Sequence, residues 1–272
     1  MSEVSENPIV RAHRDVVERL WTKPVLDLCI DELPTPEGST VLAAESRCGA
    51  VVERWVEGLS QDTRVMALES SGAMLDEARS RISEIEQQRI FFVEQRVSSL
   101  SYADDVFDGA CCFHGLVSTR QVREGLTELT RVVSPGAKVV TCVPLRSSFR
   151  EFYDLLDEAL RASGLIDVLP RIDEMHDELS SASRLVELAD ELELDGVKFD
   201  ELTWEVAFGS GREYLYSPLI QETFFPHWVG AIRASEREEV LGYISNAIDT
   251  YFSDRTLNTQ VVAGLVTGTK GE

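Results

Sequence analysis

Apolar positions along this chain fall into two rhythms. From residue 9 to residue 33 they recur at helical spacing: Val16, Val17, Leu20 and Trp21, then Val25, Leu26, Leu28, Cys29 and Leu33. Pro24 is read as the first turn of a second helix, where its missing N–H costs nothing. A Pro- and Gly-containing loop over 34–38 follows, and then the rhythm changes. Residues 40–44 (TVLAA) are short and wholly apolar, as a strand covered on both faces must be. Residues 45–49 make a turn, and Val51, Val52, Trp55, Val56 and Leu59 make one face of a helix that Gly58 and the polar residues 60–62 close. A second strand, 64–68, ends at Glu69. The first 69 residues therefore end in a βαβ unit whose first turn faces a nucleotide-type site.

The alternation continues. A charged-faced helix is predicted over 75–88, a third strand over 89–93 and a fourth over 109–114, with His114 at its carboxyl end. A helix over 122–133 leads through Ser134-Pro135-Gly136 to a fifth strand over 138–144. The region from 145 to about 200 is helical and acidic; its Asp- and Glu-rich run over 171–194 is read first as a solvated face. Strand character returns over 199–208, followed by a turn over 209–211 and a helix over 236–252 with Val240, Leu241, Ile244, Ile248 and Tyr251 on one face. Residues 259–267 complete the pattern as a seventh strand beside the fifth. The aromatic-rich stretch 218–228 (PLIQETFFPHW) is assigned to packing of helices on the sheet.

Composition narrows the class. With 43% hydrophobic and 27% charged residues the chain has the make-up of a soluble globular protein. Lys and Arg total 26 against 48 Asp and Glu, a net charge of −22, which argues against nucleic-acid phosphates and anionic membrane surfaces as partners. Five cysteines (Cys29, Cys48, Cys111, Cys112, Cys142) show no zinc spacing and sit mostly in apolar runs, so they are read as reduced and structural, and no metal is expected. With no apolar run long enough for a membrane span and no secretory leader pattern, a cytoplasmic protein is expected.

The 40–75 segment (TVLAAESRCGAVVERWVEGLSQDTRVMALESSGAML), together with the 126–137 segment (LTELTRVVSPGA), resembles the class I S-adenosylmethionine-dependent methyltransferases. The resemblance implies an α/β, Rossmann-like seven-stranded methyltransferase fold with a mostly parallel sheet and a helical acidic insertion, or lid, after the fifth strand. Its divisions would be N-terminal helices over 1–38, a sheet domain over 39–145 and 196–272, and the insertion over 146–195. It makes Gly49 and Glu69 cofactor-binding positions, with Glu69 placed to receive ribose hydroxyls. Helices ahead of the first strand often cap the cofactor cleft in that family; here they are read first as covering one edge of the sheet. The chain departs from the family pattern in the same places. Glu45 and Arg47 stand where successive glycines are usual, Ala43 and Ala44 replace the acid near the end of the first strand, and Arg96 replaces an acid that receives the adenine amino group.

Two functions follow. On the first, the cofactor site is degenerate and the protein is a non-catalytic regulator working through protein contacts, with the acidic insertion as the contact surface. Losing several buried hydrogen bonds, each worth roughly 1–3 kcal/mol, would then abolish useful cofactor affinity. On the alternative, the chain is an active methyltransferase of unknown substrate with a divergent site, using S-adenosylmethionine, with His114 and Tyr153 as candidate substrate-side groups. Arg47 and Arg96 could also converge on an anionic metabolite. The structural counter-reading pairs each arginine with Glu45 or Glu69, filling the space.

Overall fold

The computed structural model describes residues 7–83, 86–115, 117–221, 229–253 and 256–272. Seven strands form one sheet in the order β3-β2-β1-β4-β5-β7-β6. They are β1 (Thr40–Ala44), β2 (Arg64–Glu69), β3 (Ile90–Glu94), β4 (Phe107–Phe113), β5 (Val133–Pro144), β6 (Leu194–Phe208) and β7 (Leu257–Lys270). The first five pair in parallel, and β7 runs antiparallel between β5 and β6. The chain order reverses between β1 and β4. That switch point leaves a crevice outside the strands' carboxyl ends, because the connections leave it in opposite directions.

The helices are α1 (Pro8–Ala12), α2 (Lys23–Cys29), α3 (Ala50–Val56), α4 (Gly72–Arg81), α5 (Thr119–Val132), α6 (Arg150–Ala162), α7 (Leu169–Asp177), α8 (Ala182–Glu191), α9 (Gly211–Tyr216) and α10 (Ala234–Tyr251). Between α1 and α2 the residues His13–Thr22 wind as a π-helix. Side chains of β1, β4 and β5 alternate between two cores. Val41, Ala43, Cys111 and Cys142 join α2, α3, α6 and α10 on one face, while Leu42, Ala44, Cys112 and Val139 join α5 and α8 on the other. This period-two alternation between two apolar layers is why β1 and β4 read as continuous apolar runs rather than half-polar ones.

Several boundaries differ from the sequence reading. Strand β5 begins directly at Val133, with the Pro-Gly pair inside it and Gly136 at φ 77°. Strand β6 begins at Leu194, so the helical stretch after β5 ends sooner than the acidic composition suggested. That stretch does not form a lid. Helix α6 buries Phe152, Leu156 and Ala159 on one face of the sheet, and α8 buries Leu185, Leu188 and Ala189 on the other. The acidic side chains are the solvent side of two covering helices. Of the aromatic stretch 218–228, residues 222–228 lie outside the described residues. All five cysteines are buried and free. No helix among the described residues is long and apolar enough to cross a membrane, and none of them form a group of metal-ligating side chains.

Candidate active site

The turn after β1 is the centre of the site. Its backbone enters the left-handed region at alternate residues: Glu45 at φ 55°, Arg47 at φ 49° and Gly49 at φ 89°. Only the last is a glycine, although side chains with a Cβ lose roughly 1–2 kcal/mol in that conformation. The turn is held from outside. Ser46 donates its N–H to Leu68 O (2.8 Å), and Gly49 donates to Ser46 O (2.9 Å). Gly49 is also sterically required, since a Cβ there would lie 2.8 Å from the Ala78 Cβ of α4.

Glu69 anchors the other side. It ends β2 and is buried, yet its carboxylate is well supplied with donors. Oε1 accepts from Ser70 N (2.8 Å), Ser71 N (3.0 Å) and the Ser70 hydroxyl (3.1 Å), and Oε2 accepts from Arg47 N (3.1 Å). Backbone N–H groups at the start of α4 thus hold the acid at the carboxyl end of the sheet. The Arg47 guanidinium reaches across the same space. It pairs with Glu45 at 3.0 Å and approaches Glu69 at 3.7 Å, and the nitrogen paired with Glu45 lies 3.4 Å from where a Cβ on Gly115 would sit. Burial pushes the Glu45 carboxyl above its usual range, against the pull of Arg47. Arg96 has an exposed side chain with no ion pair among the described residues, though its positive charge also reaches Glu45. The Arg47 guanidinium is taken up by the two carboxylates and is not left free for an anion.

Beside this triad lies a cavity of about 350 Å³. Its floor is the turn after β1 together with Phe113, His114 and Gly115 at the end of β4, and its roof is the N-terminal helical segment, through Ile9, His13, Val17, Trp21 and Val25. This segment, expected to cover a sheet edge, meets the edge strand β6 through Trp204 and also covers the cavity at the switch point. The segment is tied down by the Trp204 indole donating to Leu20 O (2.9 Å) and by a two-oxygen pairing of Glu18 with Arg81. His114 borders the cavity and is buried, with its Nε2 unpartnered among the described residues, and its ring edge lies against Gly125 of α5. Burial, reinforced by Arg47, lowers its pKa to about 4, so it is neutral at pH 7. Tyr153 is elsewhere; it stacks on His176 at 4.1 Å and does not border the cavity.

His13 is the residue the sequence reading passed over. The π-winding spaces the inward positions at four to five residues, so His13, Val17, Glu18, Trp21 and Val25 are buried while Val16 and Leu20 are only half-buried. The signal was present as His13-Val17-Trp21 at intervals of four. An α-helical period fitted the neighbouring valine and leucine equally well and hid it.

Residues 46–136 match the family model described as a methyltransferase domain. The chain is 35% identical over 105 residues to a demethylmenaquinone methyltransferase of Clavibacter sepedonicus, an alignment covering 36% of this chain and 41% of that one. It is 28% identical over 138 residues to a 2-phytyl-1,4-naphthoquinone methyltransferase of Nostoc, covering 49% and 58%. The chain thus spans about half the length of the curated relatives it matches. Among solved structures, the Haemonchus contortus phosphoethanolamine N-methyltransferase 2 in complex with S-adenosylmethionine superposes with a TM-score of 0.53 at 12% identity, over 93% of this chain and 53% of that one. The [4+2]-cyclase SpnF superposes with a TM-score of 0.54 at 14% identity, over 91% and 80%. Sheet order and structural neighbours together give the chain the α/β fold of the class I S-adenosylmethionine-dependent methyltransferases, and residues 46–136 resemble their domain in sequence.

The geometry permits a direct test of fit to that cofactor. A buried carboxylate at the end of β2 and a turn of alternating left-handed residues suit the nucleoside side. The methionine side is obstructed by the Arg47 guanidinium. Its side chain is one-third exposed, so rotation toward solvent is sterically open, and its contact with Glu69 is longer than a hydrogen bond. A fit to the cofactor thus requires the Arg47 guanidinium to turn outward and the Glu45 carboxylate, its partner at 3.0 Å, to leave the same space.

Proposed function

We propose that the chain is an S-adenosylmethionine-dependent methyltransferase acting on a small, largely apolar acceptor. The observation that carries this reading is the strained turn: Glu45 and Arg47 keep the left-handed backbone of a glycine-rich nucleotide loop although neither residue favours it. Strain of that kind persists where surrounding structure enforces it, and it concentrates at binding sites. The roofed cavity has the turn as its floor and mainly apolar walls, with Glu45, Arg47 and His114 among them; it supports a site where cofactor and acceptor meet, and the quinone-type acceptors in the names of the similar enzymes agree with its apolar part.

When bound, the cofactor supplies an electrophilic methyl group. Glu69 would hold the ribose hydroxyls, and the turn's backbone would sit beneath the methionine part. The N-terminal segment excludes water and aligns the acceptor, which is most of what methyl transfer asks of a protein. The expectation of a non-catalytic regulator rested on side-chain identity at positions 45, 47 and 96. The left-handed backbone of the turn and the cavity above it favour the alternative.

Calorimetric titration with S-adenosylhomocysteine tests the reading. Micromolar binding that is lost in Glu69→Ala is expected. A wild-type chain that takes up neither S-adenosylmethionine nor S-adenosylhomocysteine would return the argument to a protein-contact role.

A further inference from the structure

The roof of the cavity is held unevenly along its length. Val17, Trp21, Val25 and Leu26 belong to the main core, Trp21 packs on Trp204 with ring centres 5.0 Å apart, and the Trp204 indole bonds to Leu20 O. Ahead of them the segment packs through Val10, which forms a small separate cluster with Cys48 of the turn and Met74 of α4. Between the two parts stands Glu18. It is 4% exposed, and both its oxygens accept from Arg81 of α4, one of them at 2.9 Å. Arg81 also donates to Cys48 O in the turn (3.3 Å) and to Glu53 of α3 (2.7 Å). One guanidinium therefore joins the roof, the turn and the helix after it. Glu18 owes its inward position to the winding. Over residues 13–22 the backbone follows the π pattern, with the Lys23 N–H donating to Glu18 O. At the α-helical pitch, Glu18 would stand about 140° round the axis from His13. The wider winding brings it onto the buried face with His13 and Val17. Long π-windings are rare, so the α-helical form of the same segment is the natural competitor, and in it Glu18 leaves Arg81.

From these observations we infer that residues 7–18 form a gate over the cavity, with the Glu18–Arg81 pair as its latch. With the pair made, the π-wound segment is closed over the turn. With the pair broken, the segment relaxes toward the α-helical winding, swings about its anchored end at Leu20 and Trp21, and uncovers the turn. A region held by few apolar contacts opens at a lower free energy than the sheet beneath it. The gate controls access whatever ligand the cavity takes, so the inference stands apart from the methyltransferase reading.

Cys48 is a built-in reporter. It is 1% exposed, borders the cavity and is covered by Val10, whereas Cys111, Cys112 and Cys142 lie inside β4 and β5. The full chain without ligand is treated with N-ethylmaleimide under native conditions, and labelling at each cysteine is followed by mass spectrometry. In the wild type Cys48 should label roughly tenfold or more faster than the strand cysteines, which wait for the sheet to unfold. Glu18→Gln replaces a charge-assisted pair with a neutral hydrogen bond, and should speed Cys48 labelling roughly tenfold while leaving the strand cysteines within about twofold. Glu53→Gln removes a partner of the same arginine that lies on α3 and not on the gate, so the Cys48 rate should stay within about twofold of wild type. If Glu18→Gln does not fold, the wild-type comparison decides together with Arg81→Lys, which keeps the charge, loses the two-oxygen pairing and should speed Cys48 alone. Equal labelling of Cys48 and the strand cysteines in the wild type overturns the inference. So does an unchanged Cys48 rate in Glu18→Gln, or an equal acceleration in Glu18→Gln and Glu53→Gln.

Discussion

Replacing Arg47 with glycine isolates the one side chain that closes the cofactor side of the crevice. Three terms set the effect on stability. Arg47 sits at φ 49°, and relieving a left-handed residue of its Cβ returns roughly 1–2 kcal/mol. The greater freedom of glycine in the unfolded chain takes back roughly 0.5–1 kcal/mol. The ion pair with Glu45, one-third exposed on the arginine side, contributes roughly 0.5–1 kcal/mol after solvent screening. The sum is close to zero, so Arg47→Gly should melt within about 3 °C of wild type. Arg47→Ala keeps the strain and loses the pair, and should be about 1 kcal/mol less stable than Arg47→Gly. Ligand entry must break the same contacts, so both variants should bind S-adenosylhomocysteine roughly two- to fivefold more tightly than wild type. Thermal melts and calorimetry on the three proteins read both quantities. Equal affinity for wild type and Arg47→Gly, or equal stability for Arg47→Gly and Arg47→Ala, refutes the reasoning.

Two further outcomes follow from the packing. Burial holds His13 and His114 at pKa values of about 4, below the usual 6.5, so the unfolded chain binds more protons than the folded one between those values. Stability present above pH 6.5 is therefore lost as pH falls toward 4, by about 2 kcal/mol per histidine between pH 7 and pH 5. Urea midpoints at the two pH values should show the loss, and His114→Gln should reduce it by one histidine's share; an unchanged pH difference in that variant would assign the acid sensitivity elsewhere. Gly211, at the start of α9, has the backbone of Ser245 in α10 against it, with Ser245 O 2.3 Å from where a Cβ would sit. Gly211→Ala should cost roughly 3 kcal/mol, because two backbones must separate, and a melt within 2 °C or so of wild type would show that the α9–α10 crossing yields easily.

The alternating pattern was enough to read the sheet and its helices from the chain. A strand buried on both faces leaves an unbroken apolar run, as β1 and β4 do, and the helix after β1 repeats its apolar residues at the α-helical period. The position of Glu69 was legible too, because its place at the end of β2 is fixed by a local βαβ unit. Other features have no local code. The left-handed turn at Glu45 and Arg47 is imposed by bonds from β2 and by packing of α4, against the preference of both residues. Acidic composition after β5 suggested a lid; the burial of α6 and α8 on opposite faces makes them cladding of the sheet. Periodicity alone showed where the chain meets an apolar layer, since that depends on neighbours a few residues away. Which space His13 would face, and that Arg47 would close the gap between two carboxylates, depended on elements brought together from distant parts of the chain, and only the assembled fold decided it.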